Sequence, residues 1–386
     1  MKNLAQVVEK QQEEAIIIGK ATTREERDEI FRLRYSVYAE EIPYNLVNVD
    51  HKNRLLYDEL DKKAIILYAK MGSKIIGTGR INVGRLSDFP SDLVQTYRMD
   101  KFKKFYDAQD EPYFAVVSKG MILPEYRSTP AMYQIMAKLY DLYCDYGVQF
   151  AFVNCNFHLI PFYEHYGSRR IDKNIVDPNI GAMASLVMLV DDVKHLRAVG
   201  SPLFRKARKR VGLNNNVVDW FKKEFSFEIE TAIHSRFTSE EELWNIIYQY
   251  LGNMPNQVIH LLKELSTEEA KLFLHSCSSI VHCHAGDCIA VGDNASQELS
   301  ILLSGKVQSA TGENIKPGQQ FGENGIDKRA IHSKSYIATE DTTILVLSYF
   351  LFNNFRRRHP DIARKILYSM QKQNYYLYTQ NHKIIG

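Results

Sequence analysis

The sequence predicts two unlike halves: an α/β front with a mixed central sheet, and a rear built as a β jelly roll with flanking helices. Three patterns carry the prediction. Between residues 112 and 170 an apolar, β-branched run (113–118), a breaker segment (123–130), an amphipathic helical stretch and a second strand (149–154) follow one another. Residues 64–70 and 74–80 read as two strands around Met71, Gly72 and Ser73, the composition of a hairpin turn. From Leu265 onward the chain breaks into short strands at regular spacing, separated by glycine-bearing turns.

A chain of 386 residues is long enough for more than one core. The expected division is a lead-in at 1–21, a front domain at 22–204, a basic and helical linker at 205–261, a rear domain at 262–375 and a tail at 376–386. A formal net charge of +3 is too small to argue for nucleic acid. The five cysteines are odd in number and form no Cys-x-x-Cys pair, which suits the reduced thiols of a cytoplasmic protein. The N-terminal residues have no signal-peptide core, and no apolar run reaches the roughly 18 residues of a membrane span.

Taken in order, Ile30, Leu33, Arg34, Val37 and Tyr38 share one helical face, with Thr22 or Thr23 as cap and Glu25 and Glu26 in the first turn. Asp58 and Asp61 follow, and the second hairpin strand ends at Arg80. After the strand at 113–118, apolar residues at Met132, Ile135, Met136, Leu139, Leu142 and Tyr143 mark a helix that Gly147 closes. Strand, basic turn, helix and strand form the layout of an anion site, because the N–H groups and dipole at a helix start favour a phosphate. Residues 184–190 read as a further strand. Residues 205–210, basic at all but Ala207, precede Gly212 and three asparagines and read as solvated linker. Helical pieces follow at 217–225 and 241–250, then a capping box at Ser266 and Glu269. Rear strands are expected at 279–284, 299–304, 307–310, 335–338 and 343–348, with helices at 349–359 and from 361.

The segment 112–170 resembles the acyl-coenzyme A half of the GNAT acyltransferases. Its strongest match is Phe162-Tyr-Glu-His-Tyr-Gly167; the turn Arg127-Ser-Thr-Pro-Ala131 lacks the usual glycines. The stretch Phe31 to Glu41, the Asp58 and Asp61 pair and the strand ending at Arg80 resemble the N-acyl amino acid synthases and the related acyl-homoserine-lactone synthases, over about residues 22–204. The resemblance implies an N-acyltransferase that moves an acyl group from acyl-coenzyme A or acyl carrier protein to an amine. Its donor would lie on Lys119, Met121, Arg127, Ser128, Thr129 and Ala131, and few glycines leave less room for a pyrophosphate, which favours the carrier protein. Tyr163 would protonate the leaving thiolate, and a backbone N–H between Ser118 and Met121 would hold the oxyanion. Asp58 and Asp61 would orient or deprotonate the amine, and Arg34 and Arg80 would grip an acceptor carboxylate. The plainer alternatives are solvated turn acids, structural ion pairs and a packed tyrosine. Val116 and Lys119 stand where the synthase group has Glu and Arg, which leaves the acceptor open.

Residues 262–375 resemble a cyclic-nucleotide-binding domain, on His284-Ala-Gly-Asp287, Leu299 to Val307, and Lys316 to Glu323. The resemblance implies that Gly322 and Glu323 meet a ribose. The arginine expected on the cyclic phosphate is replaced by His332, with Arg329 three residues earlier. The rear domain is thus either a nucleotide site or a fold kept for packing or homodimerisation. The His and Cys residues between His275 and Cys288 follow no closed zinc pattern, so no metal is expected. The alternative for the whole chain is a non-catalytic sensor of a nucleotide or acyl ligand. A transcription factor is disfavoured, since the 11 residues after Tyr375 are too few for a helix-turn-helix.

Overall fold

The computed structural model describes residues 15–383 except 43, 45, 47, 48, 172, 173, 178–180, 227, 228, 230 and 231, with backbone alone from 373. The front sheet has eight strands: β1 (Ile16–Lys20), β2 (Ile65–Met71), β3 (Lys74–Gly84), β4 (Phe114–Ile122), β5 (Phe150–Asn156), β6 (Ser168–Arg170), β7 (Ile175–Asp177) and β8 (Gly181–Leu189). Their order is β1-β2-β3-β4-β5-β8-β6, with β7 also on β8. Every pairing is antiparallel except β4 with β5. A parallel pair needs a crossover, and α2 (Ala131–Asp145) supplies it. Helix α1 (Arg24–Tyr35) starts at a capping box of Thr23 and Glu26 and runs into a wider π-turn, Ser36–Glu41.

The sheet is covered on both faces, which explains the unbroken apolar runs of its central strands. Ala115, Val117 and Ala151 meet Ile135, Leu139, Tyr140 and Tyr143 of α2. The alternate residues Phe114, Val116, Phe150 and Phe152 pack with Phe102 and with Val217, Phe221 and Phe225, the first two on α4 (Asn216–Glu224). Between the two in the chain lies the short α3 (Ile160–Tyr166).

One expectation changes here. The supposed lead-in contributes β1, which pairs with β2 from Ile16↔Met71 to Lys20↔Leu67. The expected helical linker does hold helices near 217–225 and 241–250, and both are packed: α4 closes the front core, and Leu243, Trp244 and Ile247 of α5 (Glu240–Leu251) enter a rear one.

The rear holds α6 (Thr267–Cys277), then β9 (Ser278–Cys283), β10 (Cys288–Ala290), β11 (Ala295–Ser296), β12 (Glu298–Ser304), β13 (Val307–Ser309), β14 (Asn314–Ile315), β15 (Gln320–Phe321), β16 (Ala330–Ile331), β17 (Tyr336–Ala338) and β18 (Thr342–Ser348). Helices α7 (Tyr349–Arg358) and α8 (Pro360–Lys383) complete it. The strands form two four-stranded sheets, β15-β12-β18-β9 and β10-β17-β13-β14, and a ribbon of β11 with β16. This is the expected antiparallel jelly-roll type, open rather than closed into a barrel. Alternation along β12 sends Leu299, Ile301 and Leu303 to the helices and Leu302 to the other side.

On that other side the two halves share a core. Val153, Cys155, Phe157, Ile160, Ala182, Ala184 and Leu186 of the front cluster with Val281, Ile289, Leu302, Phe321 and Ile344 of the rear. Polar groups reinforce the seam: Arg170 donates to the carbonyls of Ile280 at 2.5 Å and Ile233 at 3.1 Å, and Asn174 Nδ2 donates to the His282 carbonyl at 2.9 Å. No helix among the described residues is long and apolar enough to cross a membrane.

Candidate active site at the splayed strands

The parallel pairing of β4 and β5 covers only Ala115 to Val117 against Ala151 to Val153. Beyond it β4 stays with β3 and β5 stays with β8, so the two strands part and leave a V between them. At the parting β4 carries a bulge. Thr78 faces Met121 and Arg80 faces Ser118, so Gly79 alone opposes Lys119 and Gly120. Lys119 sits there at φ +55°, a left-handed backbone that a lysine adopts only at a cost. Strain of this kind collects at functional sites.

Beneath the bulge runs a ladder of alternating charge. Arg34 Nη1 donates to both oxygens of Asp61, at 2.9 and 3.0 Å. Arg80 Nη1 reaches Asp61 Oδ2 at 3.2 Å and also binds Asp58. Arg80 Nε donates to Ser118 Oγ at 2.9 Å. Lys119 Nζ stands 3.9 Å from Asp58 Oδ2 and 5.3 Å from the centre of the Tyr38 ring. Asp58 caps the turn Glu59–Lys62, accepting the Leu60 N–H while its own N–H donates to Asp61. Side-chain exposure rises along the ladder, from 0 % at Arg34 and 3–4 % at Arg80 and Asp61 to 18 % at Lys119 and 41 % at Asp58.

This order sorts the expected roles. Arg34 and Arg80 are both buried and paired with carboxylates, and Arg34 Nε and Nη2 have no hydrogen-bond partner among the described residues. Asp61 is likewise sealed: burial works against its charge, but Arg34 and Arg80 hold its carboxyl below the usual range. Asp58 and Lys119 remain at the reachable end. Burial lowers the Lys119 ammonium pKa against the pull of Asp58, and Arg80 and Arg34 lower it further.

Tyr163 lies on α3, directly after β5. Burial, with Cys155 and Tyr38 adding to it, raises its hydroxyl pKa well above the ordinary value, so the proton stays on. On the opposite arm the donor turn leads into α2, whose cap residue Pro130 offers no side-chain acceptor. Thr129 Oγ1 accepts the Ala131 N–H at 3.4 Å, Ser128 is exposed, and the Met121 side chain is buried in an apolar cluster. Arg127 is held in a two-pronged pair by Glu41, at 2.5 and 2.6 Å. Sequence reasoning did not single out Glu41, visible only as part of the Phe31 to Glu41 segment, and it read Tyr38 only as one residue of a helical face.

The rear domain carries a cavity of its own. It has a volume of about 790 Å³ and is lined by Phe321, Gly322, Glu323, Lys328, Lys334 and Tyr336, among others. Arg329 points away from it, to the Glu41 carbonyl at 2.9 Å and the Glu41 carboxylate. His332 is buried, its Nδ1 accepts the Glu323 N–H at 3.1 Å, and burial lowers its pKa against the pull of Glu298 and Glu323. Its ring thus lies inside the fold with Nδ1 occupied by the Glu323 N–H. Lys334 lines the cavity but is paired with Glu313 at 2.6 Å. Among the described residues no group of three or more His, Cys, Asp and Glu side chains gathers as a metal site would.

Residues 29–190 match the family model described as the N-acyl amino acid synthase FeeM. Over that stretch the chain is similar to the N-acyl amino acid synthases. The solved structure of FeeM, an N-acyl amino acid synthase from uncultured soil microbes, is 12 % identical with a TM-score of 0.40, over 50 % of this chain and 98 % of that one. The AHL synthase LasI is 15 % identical with a TM-score of 0.36, over 46 % of this chain and 89 % of that one. A cyclic nucleotide-binding domain from Methylobacillus flagellatus KT is 19 % identical with a TM-score of 0.32, over 39 % and 85 %. No curated protein matches the sequence.

Proposed function

We propose that the cleft between β4 and β5 transfers an acyl group from a phosphopantetheine thioester, on coenzyme A or acyl carrier protein, to the amine of an amino acid. The single observation that carries this is the charge ladder ending at Asp58 and Lys119 beside the strained bulge. Three cations (Arg34, Arg80, Lys119) and two anions (Asp58, Asp61) leave the ladder one charge positive, which favours an acceptor with a carboxylate. In this reading Lys119 takes that carboxylate, and the exposed Asp58 receives a proton from the acceptor ammonium. The freed nitrogen lone pair attacks the thioester carbonyl. Backbone N–H groups of the bulge hold the oxyanion while the C–N bond forms. The C–S bond then breaks as the carbonyl re-forms, Tyr163 donates its proton to the departing sulfur, and the surplus proton on the acylated nitrogen returns to the tyrosinate, leaving amide, thiol and neutral tyrosine. The rear domain supports the site by completing its core; the position of Arg329 argues against a cyclic phosphate in the rear cavity.

The test is to incubate the full chain with acyl-coenzyme A or acyl carrier protein and a mixture of amino acids, and to identify acylated amines by mass spectrometry. Lys119→Met and Asp58→Asn are each expected to lower kcat/KM by about a hundredfold, in the range of general acid–base and charge-positioning effects. The absence of any acylated amine with both donors would refute the reading.

A further inference from the structure

The rear domain places one guanidinium where the front domain has a use for it. Arg329 belongs to the segment between β15 and β16, whose neighbours Asp327, Lys328 and Ala330 line the rear cavity. Its own side chain turns the other way and meets the front at Glu41. That carboxylate already binds Arg127, which sits in the turn between β4 and α2 with its Nε on the Ile122 carbonyl at 3.1 Å. Two guanidiniums, one from each half, thus converge on one carboxylate, one positive charge in excess. Arg329 is kept in place by the Tyr349 ring, 5.5 Å from its guanidinium carbon. Its buried Nε has no hydrogen-bond partner among the described residues.

The geometry points to a phosphate site divided between the halves: Arg127 and Arg329 together bind the phosphate of the acyl donor's phosphopantetheine arm, and Glu41 holds the two arginines in its absence. This rests on the acyl-transfer reading for the identity of the donor. A phosphate accepts two-pronged bonds from both guanidiniums, whereas Glu41 satisfies Arg127 fully and Arg329 with one oxygen and a carbonyl. No covalent step is involved; Glu41 swings toward solvent as the phosphate enters. The shared chemistry is a phosphate ester, whether the pyrophosphate of coenzyme A or the phosphodiester of a carrier protein. A rear-domain arginine that would otherwise serve a cyclic nucleotide therefore becomes a donor-binding residue of the front.

Calorimetry on the full chain tests this with three probes: coenzyme A, phosphopantetheine-loaded acyl carrier protein, and pantetheine, which lacks the phosphate. Arg329→Gln is expected to weaken at least one phosphate-bearing probe about tenfold, the worth of a charge-assisted contact, and to leave pantetheine unchanged. The probe that weakens identifies the source of the phosphate. Arg329→Lys keeps the charge without the fork and is expected to fall between the two; it also serves if the Gln variant fails to fold. Glu41→Gln is expected to tighten the same probe. Equal losses for pantetheine and the phosphate-bearing probes would reduce Arg329 to an interface clamp and overturn the inference. So would unchanged binding of both phosphate-bearing probes, while acyl transfer by the unaltered chain would leave the proposed function standing. Failure of the unaltered chain to bind either probe would sink both.

Discussion

Asp61 anchors the charge ladder at its sealed end. Its carboxylate neutralises Arg34 and Arg80 in a place where neither guanidinium has water to turn to. Asp61→Asn leaves two buried cations facing an amide, and the loss is expected to be about 3–5 kcal/mol in a denaturant titration. Because the folded carboxyl lies below its unfolded value of about 3.9, its contribution is fully present above that pH. It is lost as pH falls through the depressed folded value. The melting temperatures of the two forms should therefore converge on acidification, and a gap that stays constant would show that the ion pair is not its source. At this scale the sequence picked out Asp58 and Tyr163 from short motifs with chemical meaning, and Lys119 as a departure from one. Glu41 was not legible: its partners lie 86 and 288 residues away, and no local spacing encodes such a meeting.

At the scale of elements, β4 is the decisive strand. Its apolar run fixed its place in the centre of the sheet, and Gly147, at φ +64°, ends the following helix as the sequence suggested. The bulge at Lys119 and Gly120 was hidden, since a bulge is a property of two strands and only one can be read at a time. β1 was missed for a similar reason: five residues at a sheet edge, none of them fully buried, carry too little alternation to stand out from a polar leader. The bulge also predicts a trade of stability for activity. Lys119→Gly removes both the left-handed strain and a desolvated ammonium, and is expected to raise stability by about 1 kcal/mol while abolishing acyl transfer. Urea melts and turnover measured on the same preparation decide it, and a variant that loses both would place the lysine in the fold rather than the site.

At the scale of the molecule, the two halves are readable as separate patterns and yet share one core. The jelly-roll pattern and the α/β pattern are each local, whereas the cluster joining Val153, Phe157 and Ala184 to Leu302, Phe321 and Ile344 is assembled from strands far apart in the chain. Such a core couples the halves, so calorimetry is expected to show one unfolding transition, with Leu302→Ala lowering it by about 2–5 kcal/mol for front and rear together. Two transitions, only one of them moved by the substitution, would show the seam to be a mere contact. The front's share of that seam includes a bed of small side chains, Ala182 and Ala184, with β10 of the rear close against β8. Size is therefore negotiated across the join: a methyl added on one side must be given up on the other. A jelly roll borrowed from a different chain, however alike in outline, would not seat on this sheet without recutting both surfaces.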